Sequence, residues 1–147
     1  MRLLSVTHSQ RWHAYFGTAG YGPIYQGRFQ SFPVKSDNHF LKVARYVERN
    51  ARRAKLVDRA EQWKWSSISQ INLGSSLPQV PLSRWPIERS TNWVDLVNQP
   101  DKDKELAALR LGIKRGRPFG DMEWQMMTAK NLCLESFLRN PGRPAKT

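Results

Sequence analysis

Tyr46 and Asn50 stand four residues apart in the stretch Arg45-Tyr46-Val47-Glu48-Arg49-Asn50-Ala51-Arg52-Arg53-Ala54. Helical geometry puts such a pair on one face, one turn apart. Around them are Lys42, Arg45, Arg49, Arg52, Arg53 and Lys55, opposed within that span only by Glu48. These residue types suit chemistry on a phosphate. The phenol would attack phosphorus, the cations would neutralise the non-bridging oxygens, and a metal would normally assist, because a phenol with a pKa of about 10 is a poor nucleophile unaided. The plainer reading of Tyr46 is a packing residue with its hydroxyl at the surface. No metal site is legible beside it: His8, His13 and His39 form no His-x-His or His-x-x-His pair, and there is no Cys-x-x-Cys. Structural or DNA-contacting roles suit these histidines better. Gly17, Gly20 and Gly22 match no nucleotide-binding fingerprint.

The element that must carry this pair is a helix from about Asp37 to Arg53, capped by Ser36 or Asp37. Phe40, Ala44, Val47 and Ala51 have the spacing of its buried face. A first helix is expected over residues 1–16, uncapped, with Leu3, Leu4, Val6, Trp12, Tyr15 and Phe16 as its apolar material. The segment from Ile24 to Val34 alternates as an extended strand does, with Pro33 confining its end to a sheet edge. One strand alone makes no sheet. Leu56 to Ser67 reads as a connector with a short helical turn. Short helices should follow: one capped by Thr91 or Asn92 and closed by Pro100, one capped by Asp101 and running from Lys102 to Lys114, and one capped by Asp121. Leu106, Leu109, Leu111 and Ile113 are the second helix's candidates for burial. The organisation expected is 1–71 as a first domain, 72–90 as a linker rich in Gly, Ser and Pro, 91–138 as a helical segment and 139–147 as a basic tail.

The chain has 147 residues, room for one real core, and a formal charge of +12 with a sequence pI near 10.5. A polyanion, most simply nucleic acid, is the expected partner. Residues 1–65 hold 12 Lys+Arg against 4 Asp+Glu, and residues 66–147 hold 12 against 8, so the first half is the more basic. No apolar window of about 18 residues is present, so no membrane-spanning helix is expected. The single cysteine, Cys133, permits no internal disulfide and suits a reducing cytoplasm, the compartment expected. Its neighbours Leu132, Leu134 and Phe137 point to a core-filling role.

Arg115-Gly116-Arg117-Pro118 and Gly142-Arg143-Pro144 have the composition of segments that lie in a narrow minor groove. For the first, a turn between two helices is the better reading. For the second, backbone phosphate contact is the alternative.

Taken in order, Tyr25-Gln26-Gly27-Arg28-Phe29, then Arg45-Tyr46-Val47-Glu48-Arg49-Asn50 with Arg53-Ala54 and Leu56-Val57, then Trp63-Lys64-Trp65-Ser66-Ser67, resemble the REP-associated tyrosine transposases. These belong to the single-tyrosine HUH transposases of insertion sequences. Arg115-Gly116-Arg117-Pro118-Phe119-Gly120-Asp121 with Trp124, and the closing Gly142-Arg143-Pro144, resemble that family's C-terminal segment. The resemblance implies an α+β fold, mostly helical in this chain: the C-terminal part of a ferredoxin-like domain, one strand with flanking helices, followed by a small helical segment. It implies Mg2+- or Mn2+-dependent cleavage and rejoining of single-stranded DNA beside palindromic hairpins. Tyr46 would match the nucleophile, Asn50 a metal-site residue, and Arg28, Lys42, Arg45, Arg49, Arg52, Arg53, Lys55, Arg115, Arg117 and Arg143 the DNA-holding cations. Two departures stand out. Ala51 replaces a common proline, and the family's His-hydrophobic-His pair is absent, as though the chain began in the middle of the fold. The expectation is therefore a truncated DNA-binding member, monomer or homodimer, with an incomplete metal site; the competing expectation is a non-catalytic DNA- or RNA-binding remnant in which Tyr46 only packs or stacks.

Overall fold

The computed structural model describes residues 2–25, 31–73 and 81–138, and these are mostly helical. The chain divides into two compact units, Met1–Ser31 and Phe32–Thr147. The first holds helix α1 (Arg2–Phe16), which Gly17 ends in the left-handed region at φ 62°. The amide of Thr18 donates to the His13 carbonyl at 3.1 Å and closes the last turn. A coil with few regular features then runs to Tyr25.

The second unit is built around α2 (Asn38–Glu48), which continues after Arg49 into the single turn α3 (Asn50–Arg53). Asp37 caps α2 as expected: its carboxylate accepts from the His39 amide at 2.8 Å. The break at Arg49 is shallow. Arg49 N–H still reaches the Arg45 carbonyl at 3.0 Å, and Arg53 N–H reaches the Arg49 carbonyl at 2.9 Å, so Tyr46 and Asn50 keep their one-turn relation. A 3-10 turn (Ala60–Gln62) and helix α5 (Trp93–Asn98) pack on this element, and α4 (Ser67–Leu73) packs on the 3-10 turn.

Ala60, Ile68, Trp93 and Val97 form the buried cluster, with Leu41, Ala44, Trp85, Val94 and Leu96 packed around it. The core thus joins residues on both sides of the segment 74–80, which lies outside the described residues. Within the stretch read as a linker, Trp85 is half-buried, edge-on to Phe40 at 5.3 Å and to Trp93 at 5.2 Å between ring centroids. Asn98 ties α5 to the 3-10 turn, accepting from the Ala60 amide at 3.0 Å and donating to Glu61 at 2.8 Å.

The inward face of α2 and α3 differs from the expected stripe. Val47 is 58% exposed, and the residue that sinks is Glu48. Its two carboxylate oxygens accept from the Trp93 indole N–H and the Ser67 hydroxyl, each at 2.6 Å. A buried indole N–H needs an acceptor, and a carboxylate holding two donors meets that need at lower cost than an unpaired buried charge would incur.

Helix α6 (Asp103–Arg115) ends at Gly116, left-handed at φ 64°, and α7 (Met122–Asn131) is capped by Asp121, whose carboxylate accepts from the Trp124 amide at 3.0 Å. Arg115-Gly116-Arg117-Pro118 is therefore the turn between two helices. Asp101 does not cap α6, because it is held elsewhere, and Lys102 occupies the cap position without a side-chain bond. On α6 Leu109 is buried, while Leu111 faces outward. The short α8 (Glu135–Leu138) follows. Cys133, expected in the core, is exposed with φ 54°, because the chain turns there between α7 and α8.

Among the described residues no strand forms. The strand expected over 24–34 falls in part on residues 26–30, outside the described ones, and its described end makes one parallel bridge, Val34 with Phe119. The Pro33 carbonyl accepts from Phe119 N–H at 2.8 Å, and Lys35 N–H donates to the Phe119 carbonyl at 3.0 Å. Pro33 has no N–H to extend a ladder in the other direction. Gly120 is needed at this crossing: a Cβ built there would lie 2.5 Å from Trp124 Cε3 and 3.1 Å from Lys35 Cβ.

Candidate functional site

The arginines of α2 and α3 lie against the end of α5. A helix leaves its last carbonyls without internal partners and carries partial negative charge there. In α5 those carbonyls go to arginine. Arg45 Nε donates to the Leu96 carbonyl at 2.7 Å, and its Nη2 donates to Gln99 and Pro100 at 2.8 and 2.9 Å. Arg49 Nη1 reaches the Val97 carbonyl at 3.1 Å and that of Gln99 as well. Arg52 donates to the carbonyls of Asn98 and, at 2.7 Å, Asp58.

One carboxylate completes the arrangement. Asp101 lies 3.6 Å from Arg45, 3.2 Å from Arg49 and 3.6 Å from Arg53. The Arg49 side chain is only 13% exposed. Burial pushes its pKa down, Asp101 opposes that shift, and the neighbouring arginines reinforce it. The guanidinium remains a cation, held by carbonyls and by Asp101.

Tyr46 and Asn50 are both engaged by Arg53. Its guanidinium sits 4.1 Å from the Tyr46 ring centroid, its Nη2 donates to the Tyr46 carbonyl at 3.1 Å, and its Nη1 donates to Asn50 Oδ1 at 3.0 Å. The Tyr46 hydroxyl makes no hydrogen bond among the described residues. Tyr46 also borders a hollow of about 30 Å³, shared with Lys42, Arg45, Asp101, Lys102 and Glu105. That is room for about one water.

The remaining expected site residues are dispersed. Lys42 is exposed and 3.8 Å from Glu105. Lys55 is exposed just past α3 with a left-handed backbone, φ 58°. Arg115 closes α6, and Arg117 is half-buried in the following turn with a buried Nε that has no hydrogen-bond partner among the described residues. Arg28 and Arg143 lie outside the described residues. The structure therefore gathers Arg45, Arg49 and Arg52 at the end of α5 and brings Tyr46 and Asn50 together through Arg53; Lys55, Arg115 and Arg117 are not part of that group.

The residues present do not fit a divalent cation at Asn50. Its carboxamide oxygen already accepts from a guanidinium, whose charge would repel a metal. No group of three His, Cys, Asp or Glu side chains suited to a metal occurs among the described residues. The histidines serve locally: His8 Nδ1 pairs with the Tyr25 hydroxyl and His13 Nδ1 with Thr18 Oγ1, both at 2.9 Å. His39 Nδ1 meets Asp37 at 2.7 Å and its ring stands edge-on to Phe119.

What the sequence reading missed is Asp101 as a counter-ion and α5 as the acceptor of the arginines. The signal was available in part, since a helix closed by Pro100 leaves carbonyls for some cation to satisfy. No protein-family model, curated protein or solved structure matches the chain.

Proposed function

We propose that the chain is a DNA-binding protein of the REP-associated tyrosine transposase type in which the tyrosine helix holds the fold together and does not cleave DNA. The observation that carries this reading is the way the cations divide. Arg45, Arg49 and Arg52 are spent on the carbonyls at the end of α5, and Arg53 on Tyr46 and Asn50. The formal charge is nonetheless +12, and Lys64, Arg84, Lys104, Arg110, Lys114 and Lys130 are exposed. Exposed cations of this kind hold phosphates by counterion release, with affinity that falls as salt rises. The ferredoxin-like sheet and the hairpin target belong to the same proposal, resting on the ordered motifs around Tyr25, Tyr46 and Trp63.

One observation favours strand transfer instead. The Tyr46 hydroxyl has no hydrogen bond among the described residues, and Lys42, Arg45 and Lys102 border the same hollow. A labelled single-stranded hairpin DNA incubated with the chain and Mg2+ or Mn2+, then run on a denaturing gel beside Tyr46→Phe, separates the two readings. The expected result is a complex on native gels for both proteins and no covalent band for either. A covalent band lost in Tyr46→Phe would overturn the non-cleaving reading, and no complex at all would overturn DNA binding.

A further inference from the structure

The first unit has an unusual composition. Residues 1–31 contain no Asp or Glu, carry Arg2, Arg11 and Arg28, and hold six of the chain's sixteen aromatic residues: Trp12, Tyr15, Phe16, Tyr21, Tyr25 and Phe29. Of these, Tyr15 is 83% exposed and Tyr21 88%, with Trp12 and Phe16 about half exposed. A helix that packs by one face gathers its apolar residues into a stripe. In α1 the positions 3, 4, 6, 12, 15 and 16 fall all round the axis at 100° per residue, so no single apolar face exists to lie on a membrane or to seat a groove.

The exposed rings are nonetheless ordered. His8, Trp12 and Phe16 recur every four residues, about 6 Å apart along the axis. Their ring centroids are 6.0 Å apart between His8 and Trp12 and 4.3 Å between Trp12 and Phe16. Tyr15 stands edge-on to Phe16 at 4.8 Å. Tyr25 stands at the other end, 5.7 Å from His8 and hydrogen-bonded to it. The row is fixed by its own contacts and leaves the Tyr15 ring in solvent. Arg11, between these rings in sequence, is exposed.

We infer that the exposed rings of α1, Trp12, Tyr15 and Phe16, together with Tyr21 in the coil that follows, serve as a stacking platform for unpaired bases of a single-stranded nucleic acid. Flat π-faces in a unit without acidic residues, with Arg11 exposed on the same helix, match a polyanion whose bases are free to stack. A duplex keeps its bases stacked on one another and offers these rings nothing. The inference rests on the proposed nucleic-acid binding and adds where, and by what contact, single strand is held.

The test compares the full chain with a Tyr15→Ala/Tyr21→Ala double variant, using fluorescence anisotropy against labelled oligothymidylate and against a blunt DNA hairpin of equal length. Both side chains are so exposed that their loss leaves packing intact, which circular dichroism checks. Oligothymidylate binding is expected to weaken roughly tenfold or more while hairpin binding and the salt slope hold. A Tyr15→Phe/Tyr21→Phe variant, which keeps the rings, should restore binding. Equal oligothymidylate affinity in the chain and the alanine variant would overturn the platform and leave DNA binding standing. Failure of the parent chain to bind either probe would instead remove the reading beneath it. A chain that is dimeric by light scattering, becomes monomeric on the alanine substitutions and keeps its oligothymidylate affinity would reassign the surface to a second copy, and the platform would fall.

Discussion

On α2 and α3, four arginines are drawn into the protein, donating to the carbonyls of Leu96 to Pro100, Asp58 and Tyr46 and to Asn50, with the Asp101 carboxylate at ion-pair distance from three of them. On α1, the large aromatics that would ordinarily drive burial remain about half exposed, as Trp12 and Phe16 do, or almost wholly exposed, as Tyr15 does. Each region reverses the default for its residue types. A basic run is available to a phosphate only if the fold has no use for it, and aromatics build a core only if another apolar face meets them. The difference between the two regions lies in what the fold sets opposite them.

The largest effect is expected at Arg49. Arg49→Ala is expected to destabilise the protein by about 2–4 kcal/mol, because it leaves Asp101 short of a partner and the Val97 and Gln99 carbonyls without their donor. Denaturant unfolding monitored by tryptophan fluorescence measures this. DNA affinity, assayed where the variant is folded, should change little; a large affinity loss with unchanged stability would mean that Arg49 serves DNA and not α5.

Gly120→Ala comes next. The added methyl meets Trp124 and Lys35 Cβ at the crossing that fastens Val34 to Phe119, and overpacking of this kind costs about 1–3 kcal/mol. Thermal melting checks it. Glu48→Gln should cost about 1–2 kcal/mol, since the carboxamide keeps one acceptor for either Trp93 or Ser67 but turns a donor toward the other. Double-mutant analysis with Ser67→Ala should show less than additive loss.

A smaller effect is expected from pH. The hydrogen bond from Lys35 holds the Asp121 carboxyl below its ordinary 3.8, and the His39 amide does the same for Asp37. Burial pushes Glu61 up, but the hydrogen bonds of Arg59 and Asn98 outweigh it and leave its pKa below 4.5. A carboxyl whose pKa is depressed on folding contributes its full stability above the unfolded pKa and loses it as pH falls through the folded value. Stability should therefore be flat from neutral pH down to about pH 5 and decline below it. Equilibrium unfolding across that range is the measurement. The smallest stability effect belongs to α1: Tyr15→Ala should shift unfolding by no more than about 0.5 kcal/mol, because an exposed ring contributes little to a core.

Local chemistry in the sequence announced α1, the Asp37 cap, the cap at Asp121 and the turn at Gly116, because each depends on residues within one helical turn. The one-turn relation of Tyr46 and Asn50 was legible for the same reason. What the sequence left hidden depends on residues far apart in the chain. Val47 and Glu48 both satisfy a helical period, and only the arrival of Trp93, with an indole N–H to satisfy, decides that the carboxylate turns inward. Asp101 is well placed to cap α6, yet three guanidiniums from α2 and α3 hold it instead. The sequence by itself determined α1, α2, α5, α6 and α7, the caps at Asp37 and Asp121 and the excess of positive charge, since propensity, capping and composition act over a few residues; α4 lies in a stretch that reads as connector and linker, and α6 does not start from a cap at Asp101. Which of those charges and rings stay free for a partner was decided by tertiary structure alone, because satisfying a buried polar group depends on what lies opposite it in space.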